Sequence, residues 1–391
     1  MTFLNMSKSG LEHSKLLVVK TWCLMLFGKI LINITSILRI PLRTKHLNSL
    51  PILMIEAGNI GWTSVFYNEL YGSACDFIEP ERVIRSKIDR SRSYLSQSLR
   101  NLIKNKPTHF FYDPRTGSQK LLPALFQTAI LTITLAFLRV TPVVILTDAS
   151  VRQWRYQVFL LTAKSGVIIT FLDPNKMGSL IPHKRILGPM FMPISIATLL
   201  EIEEMIRSTR NSRVMQPSVF FLGSLYSKRI VFFEKLQSLL QEKKSKVLIE
   251  TESKSNEIDR SSYWEKLVNV DSVITTTFQQ QDPNYIQDLL EIDQLVFRIS
   301  ETLAAECVLF SSVAPSMEKF FTPGKDFIAY SDTENAAEKI LFYTQNPDLA
   351  REIAKHGHET YRKLIESRSF WKLIDTFLER PLGIKKSINH V

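Results

Sequence analysis

The chain has 391 residues, 45% of them hydrophobic and 22% charged. That length exceeds one typical core and predicts two domains, while the composition fits an ordinary soluble globular protein and sets aside a fibrous or disordered chain. Three cysteines (Cys23, Cys75 and Cys307) have neither metal-ligand spacing nor the even count of a disulfide framework, which points to a reducing compartment.

The net charge is +11 and uneven: residues 1–50 carry Lys8, Lys15, Lys20, Lys29, Arg39, Arg43 and Lys45 against Glu12 alone, a balance of +6. The same segment is apolar from Leu16 to Phe27 and from Ile30 to Ile40. Basic plus apolar suggests an anionic membrane surface more than a phosphate backbone. Three readings stand: a membrane-surface helix, an extension packed on the domain, and a true span. Lys20 and Lys29 interrupt the apolar run, which argues against the last. No nucleic-acid partner is expected, because aromatic and basic residues do not interleave elsewhere.

Pro51–Ala57 reads as a strand. Gly58-Asn59-Ile60-Gly61 is a glycine turn, and a helix follows near Thr63. That corner faces ligands in a doubly wound sheet, although two glycines also make a plain turn. Pro107–Asp113 is the next strand. Leu121–Leu138 is long and apolar enough to resemble a membrane span, but a strand ending in Asp148 follows at once. Helix then strand is the crossover of a parallel sheet, so a core helix is expected.

Val167–Leu172 is a further strand, ending in Asp173. Asp113, Asp148 and Asp173 thus stand at strand C-termini, where open α/β sheets bind ligands; Asp is equally a common turn former. His183 is a candidate general base, since histidine alone titrates near neutral pH unperturbed. Ile186–Pro189 is a short strand and turn, and residues 195–207 a helix. Residues 211–217 read as a linker.

After it the unit recurs. Ser218–Leu222 is a strand, Gly223-Ser224 a glycine turn, and a helix runs to about Lys244. Arg229 falls in that helix's first turn, where the dipole disfavours a cation unless an anion lies between them. Strands at 246–250 and 272–276 follow. Arg298–Ser312 reads as a short helix with an outward carboxylate, Glu301, then a buried strand. A carboxylate facing a cleft at a helix start can hold a ribose diol, and the amides beside it can hold phosphate. The tail from Asp332 to about 379 is helical, with Gly357 kinking or interrupting it. No Asp-x-Asp pair occurs, so a diphosphate would be neutralised by Arg229, helix N-termini and turn amides rather than by a metal.

Phe221-Leu-Gly-Ser-Leu-Tyr-Ser-Lys-Arg229, Gln294-Leu-Val-Phe-Arg-Ile-Ser-Glu-Thr-Leu-Ala-Ala305, Phe321-Thr-Pro-Gly-Lys-Asp326 and Ile353-Ala-Lys-His-Gly357 together resemble GT-B glycosyltransferases of the glycosyl-transferase-group-1 type, particularly a spore-maturation-like subgroup. The resemblance covers roughly residues 217–378. It implies an α/β fold of two facing Rossmann-like domains: a basic apolar extension (1–47), an acceptor-side domain (48–215) and a nucleotide-sugar-side domain with a helical tail (216–391).

It also implies transfer of a sugar from a nucleotide-sugar donor to a glycan, lipid or other cell-envelope acceptor, with no cofactor, in the cytoplasm or on the inner membrane face. On that resemblance Glu301 holds ribose and Arg229 the diphosphate. Gly223, Ser224 and Arg298 lie beside them, and Thr302 and Leu303 offer amides. Gly58, Asn59, Gly61, Asp113 and Asp148 line the other side of the cleft. Asp293 stands where retaining members carry Glu, one methylene longer, so retention and inversion both stay open. Glu306 stands where many relatives carry Gly at a helix end. That implies strain of about 1 kcal/mol or a different turn.

Overall fold

The computed structural model describes residues 51–56, 61–87, 94–113, 121–146, 166–175, 185–210, 218–223, 225, 227–252, 260–277, 295–314 and 317–378. The basic apolar segment 1–50 lies outside the described residues.

The first half is a six-stranded parallel sheet. Its strands are β1 (Ile52–Glu56), β2 (Val83–Lys87), β3 (His109–Tyr112), β4 (Thr141–Leu146), β5 (Val167–Thr170) and β6 (Ile186–Leu187), in the order β2-β1-β3-β4-β5-β6. Helices α1 (Gly61–Phe77), α2 (Tyr94–Asn105), α3 (Leu121–Leu138) and α4 (Ile196–Arg210) accompany it. Every residue of β3, β4 and β5 is buried, as expected of parallel strands covered on both faces.

The second half repeats the plan with five parallel strands: β7 (Ser218–Leu222), β8 (Leu248–Glu252), β9 (Ser272–Thr275), β10 (Val308–Ser312) and β11 (Ile328–Tyr330), ordered β11-β10-β9-β7-β8. Its helices are α5 (Ser227–Glu242), α6 (Arg260–Val268), α7 (Phe297–Ala304), α8 (Thr333–Gln345), α9 (Pro347–Glu366) and α10 (Ser369–Phe377).

Several expectations are met. Leu121–Leu138 is one helix leading straight into β4. Among the described residues no helix is long and apolar enough to cross a membrane. Asp173 caps its own turn, accepting the Asn175 N–H at 2.9 Å, which is the turn-forming role.

Others are corrected. β2 and β11 were not expected: β2, Val-Ile-Arg-Ser-Lys, is a mostly polar strand at the sheet edge, and β11 has three residues. Gly357 does not interrupt the helix, because α9 runs through it unbroken for 20 residues. A Cβ there would lie 2.2 Å from the Asp326 carbonyl oxygen and 2.7 Å from a Leu303 methyl, so glycine permits close packing.

The two halves share one continuous apolar core. Phe66 of α1 stacks on Phe297 of α7 with ring centroids 4.6 Å apart, and Phe171 meets the same ring edge-on at 4.9 Å. Around this cluster hydrogen bonds cross between the halves. The Met192 N–H donates to Ser300 Oγ (3.1 Å), the Tyr361 hydroxyl donates to the Met192 carbonyl (2.8 Å), and Trp371 Nε1 donates to Ser73 Oγ (3.0 Å). Each aromatic pair adds about 0.5–1.5 kcal/mol beyond its area burial. The interface is therefore built like a core, not like a hinge between loosely docked domains.

Candidate functional site

A polar rim forms at the C-terminal edge of the second sheet. β7 ends at Leu222 and Gly223 turns the chain under the Phe221 ring, which a Cβ would approach to 3.1 Å. α5 starts at Ser227, putting Arg229 in its first turn as expected. Arg229 Nε donates to Thr276 Oγ1 at 3.0 Å, and its guanidinium lies 5.3 Å from the Phe221 ring centre.

The neighbouring strands supply hydroxyls. The Thr277 N–H donates to Ser312 Oγ (3.0 Å), and the two hydroxyls lie 2.9 Å apart. The Tyr330 hydroxyl donates to the Thr275 carbonyl at 2.7 Å, and burial pushes its pKa well up, so the phenol stays neutral. A helix N-terminus, a cation and several hydroxyls at one sheet edge make an environment suited to a phosphorylated ligand.

Glu301 lies elsewhere than expected. It is 3% exposed, not outward, and pairs with Arg298 one turn earlier at 3.1 Å. Arg298 also hydrogen-bonds the Tyr263 hydroxyl of α6. Burial works against the Arg298 charge, but Tyr263 and Glu301 outweigh it and raise its pKa. Burial likewise drives the Tyr263 phenol well above its ordinary range, against the pull of Arg298. The carboxylate turned inward because the chain provides its counter-ion three residues away. Thr302 and Leu303 are also corrected as amide donors, since they lie on the second turn of α7, where N–H groups bond within the helix. The Thr302 hydroxyl is fully buried and has no hydrogen-bond partner among the described residues.

Glu306 adopts a left-handed conformation, φ 53°. The Glu306 N–H bonds the Leu303 carbonyl and the Cys307 N–H bonds that of Thr302, both at 3.2 Å, which closes α7 with a Schellman cap. The turn that suits glycine is kept, and glutamate occupies it.

In the first half, Asp113 follows β3, is 2% exposed, and accepts the Tyr67 hydroxyl at 2.6 Å. Together with Met54, Tyr71 and Arg85 it lines a cleft. The cleft opens between β1 and β3, where the strand order reverses and ligands commonly bind. Arg85 hydrogen-bonds Asn68 and lies over the Tyr71 ring at 5.2 Å. Gly61 opens α1. Gly58, Asn59, Asp148, His183, Ser224 and Asp293 lie outside the described residues.

Sequence reading missed Arg85, Tyr67, Thr276, Thr277, Ser312 and Tyr330. The signal was the small hydroxyl residues that end apolar strands, as in Ser-Val-Ile-Thr-Thr-Thr277 and Val-Leu-Phe-Ser-Ser312.

Residues 260–371, which contain α6, the buried Arg298–Glu301 pair and most of the helical tail, match a family described as glycosyl transferase-like. No curated protein matches the chain in sequence. Among solved structures, the fold is similar to HepE from Anabaena in complex with UDP and glucose. The TM-score is 0.54 at 9% identity, over 84% of this chain and 99% of that one. HepE in complex with UDP-glucose gives 0.52 at 10% identity, with the same coverage of 84% and 99%. A glycosyltransferase from Rickettsia africae gives 0.50 at 11%, over 84% of this chain and 98% of that one. The fold is GT-B. The glycosyl transferase-like family match lies in the chain's second half, over residues 260–371.

Proposed function

We propose that the protein transfers a sugar from a nucleotide-sugar donor, a UDP-sugar in class, to a glycan, lipid or other cell-envelope acceptor at the inner face of the cytoplasmic membrane. The observation that carries this reading is Arg229 in the first turn of α5, beside Gly223 and the hydroxyls of Thr276 and Thr277. That setting suits the diphosphate of a donor and would stabilise the negative charge that grows on it as the sugar leaves. Arg229 and the α5 dipole would do this without a metal. The relatives crystallised with UDP and UDP-glucose support the choice of donor.

On this reading Glu301 meets the ribose hydroxyls, with Arg298 beside it as a hydrogen-bond donor. Asp113 and the cleft beside it face the acceptor. His183 and Asp293 are the remaining candidates for proton transfer or for stabilising the reacting sugar.

Arg229→Ala should leave the melting temperature unchanged and lower UDP-glucose hydrolysis or transfer about 100-fold or more. Full activity in that variant would remove the assignment. A second reading is a binding protein that keeps the fold without catalysis; the carboxylate locked in its ion pair favours it. Calorimetric binding of UDP-glucose with neither hydrolysis nor transfer would select that reading.

A further inference from the structure

α2 and α3 pack on each other and cover the same face of the first sheet, over a core of Leu53, Leu102, Phe110, Leu131 and Leu135. Their outward residues therefore share one outer surface. On α3 that surface is unusual. Phe126 is 68% exposed and Phe137 55%, with half-buried Ile130 and Ile133 between them. The spacing i, i+4, i+7, i+11 puts all four on one stripe, about 16 Å long at 1.5 Å per residue. α2 adds Ile103, 60% exposed. A helix apolar on every side normally lies fully buried; this one turns an aromatic-ended stripe to the outside.

Charge decides what covers it. Arg100 and Lys104 of α2 and Lys106 just beyond it are exposed. Neither helix contains a single Asp or Glu. Residues 1–50 carry a further balance of +6. The Thr108 N–H, just past α2, bonds the Pro51 carbonyl at 2.8 Å, and the Thr141 N–H, just past α3, bonds the Thr108 carbonyl at 2.9 Å. A basic segment is a poor cover for a basic face. An anionic lipid surface complements both, because apolar side chains enter the interface and the surrounding cations meet the headgroups.

We infer that the outer face of α2 and α3, with the stripe Phe126–Ile130–Ile133–Phe137 and the cations Arg100, Lys104 and Lys106, is a docking surface for an anionic lipid bilayer. Vesicle binding needs no sugar donor, so failure of this surface and failure of the transferase reading are separately visible.

The test is sedimentation of the full chain with vesicles of phosphatidylcholine and phosphatidylglycerol, and with phosphatidylcholine alone. The wild type should bind the anionic vesicles and lose them at high salt. Phe126→Ser with Phe137→Ser should weaken binding about tenfold or more, and Arg100→Glu with Lys104→Glu about fivefold for each charge removed. All variants keep residues 1–50, so that segment's own contribution is constant. Phe126→Trp should show bluer emission than the wild type when anionic vesicles are added. Equal binding by the wild type and the Phe126→Ser/Phe137→Ser variant overturns the inference. So does an unshifted Phe126→Trp signal, or a wild-type dimer that the double serine variant dissociates, which would make a second copy the occupant.

Discussion

Arg298 and Glu301 face each other one turn apart on α7, their charged atoms 3.1 Å apart and both side chains buried. Removing one partner of such a pair leaves the other charge without its counter-ion in the interior. Arg298→Ala should cost about 3–5 kcal/mol, read from the urea midpoint. Arg298→Met combined with Glu301→Leu should cost much less, because neither charge is then stranded. A loss below about 1 kcal/mol in Arg298→Ala would mean that the pair is solvated in solution.

Glu306 carries a side chain where the backbone is left-handed, φ 53°. Glu306→Gly should stabilise the protein by about 1 kcal/mol, the steric penalty removed less the entropy that glycine adds to the unfolded chain. Thermal melting resolves a change of that size. A destabilised glycine variant would mean that the glutamate side chain contributes more than its conformation costs.

Gly357 is the reverse case. Its α-carbon sits against the Asp326 carbonyl, and Asp326 itself accepts from the Thr322 N–H (2.7 Å) and the Thr360 hydroxyl (2.7 Å), so this loop cannot easily give way. Gly357→Ala should destabilise by about 1–3 kcal/mol despite alanine's better helix propensity. Unchanged stability on denaturation would show that α9 can slide.

Asp332 caps α8, accepting the Asn335 N–H at 2.8 Å. That bond, followed by one from the Ser331 hydroxyl, lowers its pKa below the ordinary 3.8. A lowered folded pKa gives stability that is present above 3.8 and lost as the pH falls through the folded value. Asp332→Asn keeps a cap but cannot titrate. Its melting temperature should fall less steeply than the wild type's below pH 3.8, and parallel profiles would discount the cap.

Much of the fold was legible. Val143–Leu146 and Val167–Ile169 are uninterrupted β-branched or aliphatic runs, and only covered parallel strands need them. Val83-Ile-Arg-Ser-Lys87 was not legible, because an edge strand half open to solvent carries no such run. Ile328–Tyr330 is too short to show a period. Arg229 was placed correctly by the glycine turn before it. Glu301 was misjudged in direction because a carboxylate on a short helix was read alone, although Arg298 stood at the i−3 spacing that neutralises it. The packing between halves could not be read at all: Trp371 bonds Ser73 across 298 positions, and no local pattern encodes such a pairing.

That last contact joins α10 to the leading half. Trp371 lies against Phe111 and Phe370 against Phe191, so α10, late in the chain, completes the hydrophobic wall of the leading half. Without residues 369–377 the leading half would lack the aromatic faces that Trp371 and Phe370 present to Phe111 and Phe191. Domains of a long chain usually fold as separate units, whereas this contact couples the stability of the two halves. A stop codon a few residues before α10 would yield not a slightly shorter protein but a leading half that never closes.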